Sequence, residues 1–369
     1  LIGKEEKPFI IAEIGVNHNG YKEEAKYLID EAYKANFNAI KFQHRSNDLY
    51  DRKNIDTFDL GTQYIISEID RTKLSIEDLK ECCLYAKGKG ISVIVTPFDK
   101  EALKEIELIM DNISALKIAS CDLMNHELIN LCINKNKPLI ISTGMSYEHE
   151  IIQTSQLLLG KMCEHAFLHC CSTYPAPLED INLNYIDRLH DITEAVIGYS
   201  SHDGQVLIPY LAIAKGADII EVHITRSHSQ KGTDHKASIP VNKLNEFINS
   251  CTDASVAKGH VKPRKPSQGE LANKISLGKS LALKKEKKAG EIVNNQDLYL
   301  VSPGIGYGPN EKLKVIGKKL IKDKRRGSLL RAKDLSSIQN NDIPDIKSIN
   351  RSLEKNGYEI GIPVRYHDI

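Results

Sequence analysis

Ile-Gly-Tyr-Ser-Ser-His-Asp (197–203) and Glu-Val-His-Ile-Thr (221–225) each put a histidine at or near the end of a short apolar, β-branched run, with a helix-like segment, Val206 to Lys215, between them. That is a strand, helix, strand unit. In the second run Val222 and Ile224 alternate with Glu221, His223 and Thr225, so one face is apolar while the other carries a carboxylate, an imidazole and a hydroxyl. Polar groups facing a protein interior cost free energy unless something satisfies them. A divalent metal held by His202 and His223, from two adjacent strand ends, would do so, because imidazole suits Mn, Fe and Zn alike. Taken singly, each histidine reads more simply as a hydrogen-bonded core residue. The residues at the other strand ends reverse that preference.

Working outward, short apolar strands alternate with amphipathic helices from Phe9 onward. The strands expected are Phe9 to Gly15, Ala39 to Gln43, Ser92 to Phe98, Ala115 to Ser120, Pro138 to Thr143, Ala166 to Ser172, Ala195 to Tyr199 and Ile219 to Thr225. Helical patterns fill the gaps, as at Lys22 to Ala35, Ile76 to Lys89 and Tyr147 to Leu159, and Asn242 to Ser250 reads as a closing helix. Eight such units in about 250 residues fit an α/β fold, a (β/α)8 barrel with its catalytic groups at the C-terminal strand ends. A doubly wound sheet is the rival, disfavoured because no Gly-x-Gly-x-x-Gly follows the first strand.

The unusual residues cluster at those ends. Glu13 and, in the following loop, Asn17 belong to the first strand, Lys41 to the second, Thr96 to the third, Lys117 and Ser120 to the fourth, Ser142 and Thr143 to the fifth, Ser172 and Tyr174 to the sixth. One strand lysine can snorkel or form a structural ion pair. Two, with hydroxyls at neighbouring strand ends, offer the charge and donors that hold a phosphate and a carboxylate, so an anionic substrate is expected. After the eighth strand, Arg226 to Ser238 carries Asp234 and His235 where a lid or substrate-positioning loop belongs.

Composition narrows the class. The 369 residues hold 41% hydrophobic and 27% charged residues, ordinary for a soluble globular chain. Net charge is +1, so no global field draws the chain to nucleic acid or to a membrane surface. The basic, proline-bearing stretch after Lys258 lacks interleaved aromatics, which also speaks against nucleic acid. Eight cysteines without Cys-x-x-Cys spacing suggest reduced thiols and a cytoplasmic protein. No apolar run approaches the length of a membrane span. The expected organisation is a barrel over 1–257, a linker over 258–279, a small mixed domain over 280–335 and a second linker over 336–369. The start at Leu1 and the apolar closing phrase Gly361 to Ile369 suggest one portion of a longer polypeptide.

Ile-Ala-Glu-Ile-Gly-Val-Asn-His-Asn-Gly, Lys-Phe-Gln, Thr-Pro-Phe-Asp, Leu-Lys-Ile-Ala-Ser, Ser-Thr-Gly-Met, His-Cys-x-Ser-x-Tyr-Pro-x-Pro, Ile-Gly-Tyr-Ser-x-His and Glu-Val-His-Ile-Thr follow one another here in the order seen in the sialic acid synthase (N-acylneuraminate synthase) family. The chain resembles that family from about Pro8 to Leu335, its small domain resembling the C-terminal antifreeze-like (SAF) domain. The resemblance implies condensation of phosphoenolpyruvate with the open-chain aldehyde of an N-acylated hexosamine, giving a nonulosonic acid and phosphate. It implies Mn2+, with Mg2+ or Co2+ as alternatives, on His202 and His223. Lys41, Thr96, Lys117, Ser120, Ser142 and Tyr174 would hold phosphoenolpyruvate, with Glu13 as acid/base. Asn17, Thr143, Ser172, Glu221, Asp234 and His235 join the expected substrate-binding set. A domain-exchanged homodimer is also implied, and the closing phrase at Ile369 resembles the start of a sugar-phosphate isomerase-like module.

Two positions depart from the best-known members. Ser172 stands where many have asparagine. Val-Ser-Pro-Gly (301–304) stands where Lys-Arg-Pro-Gly usually supplies a sugar-contacting arginine, so Ser302 points to a different acceptor, such as a diacetamido trideoxyhexose or a phosphorylated sugar. Two other classes stay open. A Schiff-base aldolase or lyase would use Lys41 or Lys117 without metal, and a carbohydrate-binding protein would have lost catalysis.

Overall fold

β1 (Phe9–Gly15), β2 (Ala39–His44), β3 (Ser92–Pro97), β4 (Ala115–Ile118), β5 (Leu139–Ser142), β6 (His165–His169), β7 (Val196–Ser201) and β8 (Ile219–Thr225) pair in chain order, all parallel, and β1 also pairs with β8. This closes an eight-stranded (β/α)8 barrel in a computed structural model that describes Ile2, residues 7–51 and residues 53–336. Parallel neighbours need a long crossover, and helices supply it: α1 (Lys22–Lys34), α2 (Leu60–Thr72), α3 (Ile76–Gly88), α4 (Lys100–Glu107), α5 (His126–Ile133), α6 (Glu148–Gly160), α7 (Leu178–Ile181), α8 (Tyr185–Ile192) and α9 (Leu207–Ala214). A short strand β9 (Ile239–Pro240) pairs parallel with the end of β8, and α10 (Leu244–Lys258) closes the barrel.

Inside the barrel Ile11, Ala39, Ile94, Ala115, Ile140 and Ile219 form a dry plug. Alternation along each strand puts residues two apart on the same face. Two residues beyond that plug come Glu13, Lys41, Thr96, Lys117, Ser142 and Glu221, so one apolar layer supports one polar layer. Register agrees, since Glu13 lies opposite both Lys41 and His223. A second, larger core packs the outward faces of the strands, with Phe42, Val95 and Phe167, against the helices. Asp99, at the end of Thr-Pro-Phe-Asp, caps α4 by accepting from the Ala102 N–H at 2.8 Å.

The strand readings hold with small shifts. Ser120, Thr143, Ser172 and Tyr174 fall just past the ends of their strands, while β7 runs on to Ser201. The helix α2 is an addition to the sequence reading.

The chain divides into two compact units, Leu1–His260 and Val261–Ile369. The stretch expected as a linker, 258–279, contains a helix, α11 (Gln268–Leu277), started by a capping box in which Ser267 accepts from Glu270 N–H and the Glu270 carboxylate accepts from Ser267 N–H. In the second unit β10 (Ser280–Leu283) pairs antiparallel with β11 (Leu298–Val301) over a small core including Leu283, Val293, Leu320 and Leu330. Its buried Asp334 takes an ion pair from Lys324 at 2.7 Å. Apart from Ser336, the expected second linker, 336–369, lies outside the described residues.

Candidate active site

The C-terminal mouth of the barrel opens into a cavity of about 900 Å3, lined by Lys41, Thr96, Lys117, Ser120, Ser142, Ser172, Tyr174, His202, Glu221, His223 and Asp234 among others. At its floor two lysines and two carboxylates alternate. Lys41 Nζ lies 2.5 Å from Glu13 Oε2 and 2.9 Å from Glu221 Oε1, and Lys117 Nζ lies 3.4 Å from Glu221 Oε2. Each charge is buried and each faces an opposite one, the arrangement that makes buried charge tolerable.

Burial favours the neutral amine of Lys41 and brings it down to about 8, against the raising effect of Glu221. Burial pushes Glu221 upward, but Lys117 and Lys41 outweigh this and hold its carboxyl below the usual range. Glu13 itself sits beneath Lys41 rather than on the cavity wall, and takes a hydrogen bond from the Gln43 amide at 3.3 Å. A register shift in β1 between Glu13 and Gly15 makes room for it. Gly15 has φ +51°, and a Cβ there would stand 2.5 Å from Glu13 Oε1, so glycine is needed both for backbone and for space.

A nest of small donors lies beside the lysines. Lys117 donates to Ser142 Oγ at 2.7 Å, and Ser172 donates to Ser120 Oγ at 3.0 Å. Thr96 Oγ1 is buried without a hydrogen-bond partner among the described residues. At Gly144 a Cβ would come 2.1 Å from Ser172 Oγ and 2.9 Å from Ser120 Oγ, so the three strand ends close on a hydrogen atom.

His202 and His223 face each other edge to face with ring centroids 5.4 Å apart. His202 Nδ1 lies 2.8 Å from the Cys171 carbonyl oxygen, which only a protonated Nδ1 can satisfy; Nε2 therefore keeps its lone pair and accepts from the Tyr174 hydroxyl at 3.2 Å. Burial, then the neighbouring His223, lowers His202 to about 3; burial also lowers His223. Both rings are neutral at pH 7, as metal ligation requires. Among the described residues His223 Nδ1 is buried without a hydrogen-bond partner, the Asp234 carboxylate standing 3.5 Å away. These residues fit a divalent ion with two imidazole ligands. Among the described residues no three histidine, cysteine or carboxylate groups converge on one point, so water or substrate would fill the remaining positions.

The structure separates the expected set. Tyr174 stands against the histidines, 4.3 Å ring to ring from His202, rather than with the lysines. Three expected substrate groups do not line the cavity and are committed to other contacts. Thr143 donates to the Leu168 carbonyl at 3.1 Å, Asn17 donates to the Ile224 carbonyl and Ser238 Oγ, and His235 Nδ1 lies 2.8 Å from Thr225 Oγ1. They hold strand ends and the 226–238 loop in place, and that loop contributes Gly232, Thr233, Asp234 and Lys236 to the wall. Ser302, in the other unit, donates to the Leu277 carbonyl at 3.1 Å and accepts from Lys279 at 2.7 Å.

Four groups escaped the sequence reading. Ser200 donates to Glu221 Oε1 at 3.0 Å. Gln43 and Arg45 continue the Lys41 face of β2 at period two, a signal available in Lys-Phe-Gln-His-Arg. α2 walls the mouth with Tyr64, Ile65 and Glu68.

A closed parallel barrel with this polar layer at its C-terminal mouth defines a barrel enzyme with its site at the strand ends. The model of the NeuB family matches residues 28–263. N,N'-diacetyllegionaminic acid synthase of Legionella pneumophila is 33% identical over 87% of this chain and 93% of its own length, and human N-acetylneuraminate-9-phosphate synthase is 30% identical over 87% and 90%. Among solved structures, an N-acetylneuraminic acid (sialic acid) synthetase from Leptospira borgpetersenii in complex with citrate is similar with a TM-score of 0.66 and 31% identity, over 74% of this chain and 92% of that one. The chain belongs to the NeuB family, and it is an enzyme of the sialic acid synthase kind. Among the described residues no helix is long and apolar enough to cross a membrane.

Proposed function

We propose that the enzyme condenses phosphoenolpyruvate with the open-chain aldehyde of an N-acylated hexosamine, releasing phosphate and a nonulosonic acid. The observation that carries this reading is the pairing, in one cavity, of a lysine-and-hydroxyl floor with two neutral, facing histidines. The reaction joins phosphoenolpyruvate C3 to the aldehyde carbon, adds the oxygen of water at C2, and sends the bridging oxygen away with phosphate. A divalent ion on His202 and His223, with Mn2+ the first candidate, would polarise the aldehyde oxygen. Lys41 and Lys117 hold phosphoenolpyruvate and meet the charge that grows on phosphate as it leaves, with Thr96, Ser120, Ser142 and Ser172 as neutral donors. Glu13, beneath Lys41, orients the water and takes its proton once the ligand draws Lys41 away. The Tyr174 hydroxyl, now on His202, would turn toward the acceptor.

We propose further that the small unit is an antifreeze-like module and that it serves a second copy in a homodimer. A Schiff-base lyase has one observation in its favour, the lowering of Lys41 to about 8, and borohydride trapping with pyruvate tests it. Phosphate release from phosphoenolpyruvate with N-acetylhexosamines, with and without chelator, tests the synthase reading.

A further inference from the structure

The floor of the cavity is charge-balanced, two lysines against two carboxylates; at its mouth Arg45 and Lys236 stand without an ion pair among the described residues. Arg45 lines that mouth with its guanidinium over the Phe98 ring, Cζ 3.7 Å from the centroid. Its only hydrogen bond among the described residues runs from one terminal nitrogen to Gln43 Oε1 at 2.7 Å, and its Nε is buried with no partner. No carboxylate lies within ion-pair distance of it among the described residues. Asp234 is turned to His223, and Glu68 to Arg71 and Lys231. Lys236 lines the same mouth, again with no acidic partner among the described residues.

A half-buried guanidinium with free donors, no ion pair among the described residues and only the more distant Asp234 carboxylate to offset it is costly unless a ligand completes it. Arginine is the side chain whose planar fork suits carboxylate and phosphate. The group is also preorganised. Phe98 backs it, while the Gln43 amide is oriented from both ends, accepting from Arg45 and donating to Glu13. Between the guanidinium and the Lys41 ammonium therefore stand the Gln43 amide and the Glu13 carboxylate. A three-carbon phosphoenolpyruvate seated on Lys41, Lys117 and Ser142 leaves Arg45 to the other substrate.

We propose that Arg45 is an acceptor-specificity residue that takes an oxyanion on the sugar, so that the preferred acceptor is a phosphorylated N-acylhexosamine rather than a neutral one. This rests on the synthase reading for the identity of the sugar, and the test does not require turnover. Calorimetric titration of the full chain with N-acetylmannosamine 6-phosphate, N-acetylmannosamine and phosphoenolpyruvate is compared between wild type and Arg45→Gln. Wild type is expected to bind the phosphorylated sugar at least tenfold more tightly than the neutral one. Arg45→Gln is expected to erase that gap while shifting phosphoenolpyruvate affinity by less than threefold. Arg45→Lys keeps the charge and guards against a variant that fails to fold. It is expected to narrow the gap at least threefold, because an ammonium neither stacks on Phe98 nor presents two parallel donors. A gap absent from wild type, a gap unchanged in either variant, or a tenfold loss of phosphoenolpyruvate affinity in Arg45→Gln overturns the proposal. An Arg45-dependent gap without phosphate release from any acceptor sinks the synthase reading and leaves the oxyanion subsite standing.

Discussion

At the residue scale the Glu13–Lys41–Glu221–Lys117 ring concentrates buried charge, and with it stability risk. Replacing Glu221 by Gln leaves two buried ammoniums with one carboxylate, and losing one partner of a buried pair costs about 3–5 kcal/mol. The expected result is a lower denaturant midpoint with phosphoenolpyruvate binding also weakened, since Ser200 and both lysines lose their common partner. Lys41 gives a pH signature of definite sign. Its folded value, about 8, lies below the unfolded one near 10.5. Between those values the unfolded chain holds a proton that the folded chain has released, so stability rises with pH across that window. The unfolding free energy of wild type minus that of Lys41→Met is expected to climb by on the order of 3 kcal/mol from pH 8 to 10.5. A flat difference would mean Lys41 keeps an ordinary affinity for its proton. Gly144→Ala drives a methyl into Ser172 and Ser120, and should raise the KM for phosphoenolpyruvate more than tenfold. Glu13, Lys41, Lys117 and Glu221 were legible because a charge inside an apolar run has few bland explanations. Thr143, Asn17 and His235 were not separable from them, because a hydroxyl, amide or imidazole at a strand end serves backbone and substrate equally well.

At the element scale the strands were readable to within a few residues, since β-branched runs of period two announce themselves between amphipathic helices. α2 was not, because Leu60-Gly-Thr-Gln-Tyr opens with residues that favour turns as much as helix, and its apolar Ile65 and Tyr64 face the cavity mouth rather than the core. α11 was hidden by its proline-bearing, basic approach, although Ser267-x-x-Glu270 was a capping signal in plain view. The apolar plug sets the height of the polar layer above it. Ile94, 1% exposed, sits directly below Thr96 on β3. Ile94→Ala is expected to cost about 2–5 kcal/mol in chemical denaturation, and to raise KM by loosening Thr96. Unchanged stability would mean the plug collapses to fill the gap.

At the scale of the whole molecule, a net charge of +1 conceals two unlike parts. The small unit carries Lys-Lys-Glu-Lys-Lys at 284–288 and Lys-Asp-Lys-Arg-Arg at 322–326, and α11 leaves Leu271, Ile275 and Leu277 exposed. If that unit serves a second copy, sedimentation should give twice 41.3 kDa, with mass falling toward one chain as salt is raised. The most direct measurement of the condensation itself is phosphate release from phosphoenolpyruvate with Mn2+ across N-acetylhexosamines and their 6-phosphates, in wild type, with chelator, and in His223→Ala. Release is expected to depend on one acceptor, to stop with chelator and to fall at least a hundredfold in His223→Ala. Release that ignores chelator and His223, or no release from folded, metal-loaded protein with any acceptor, would contradict the proposed condensation.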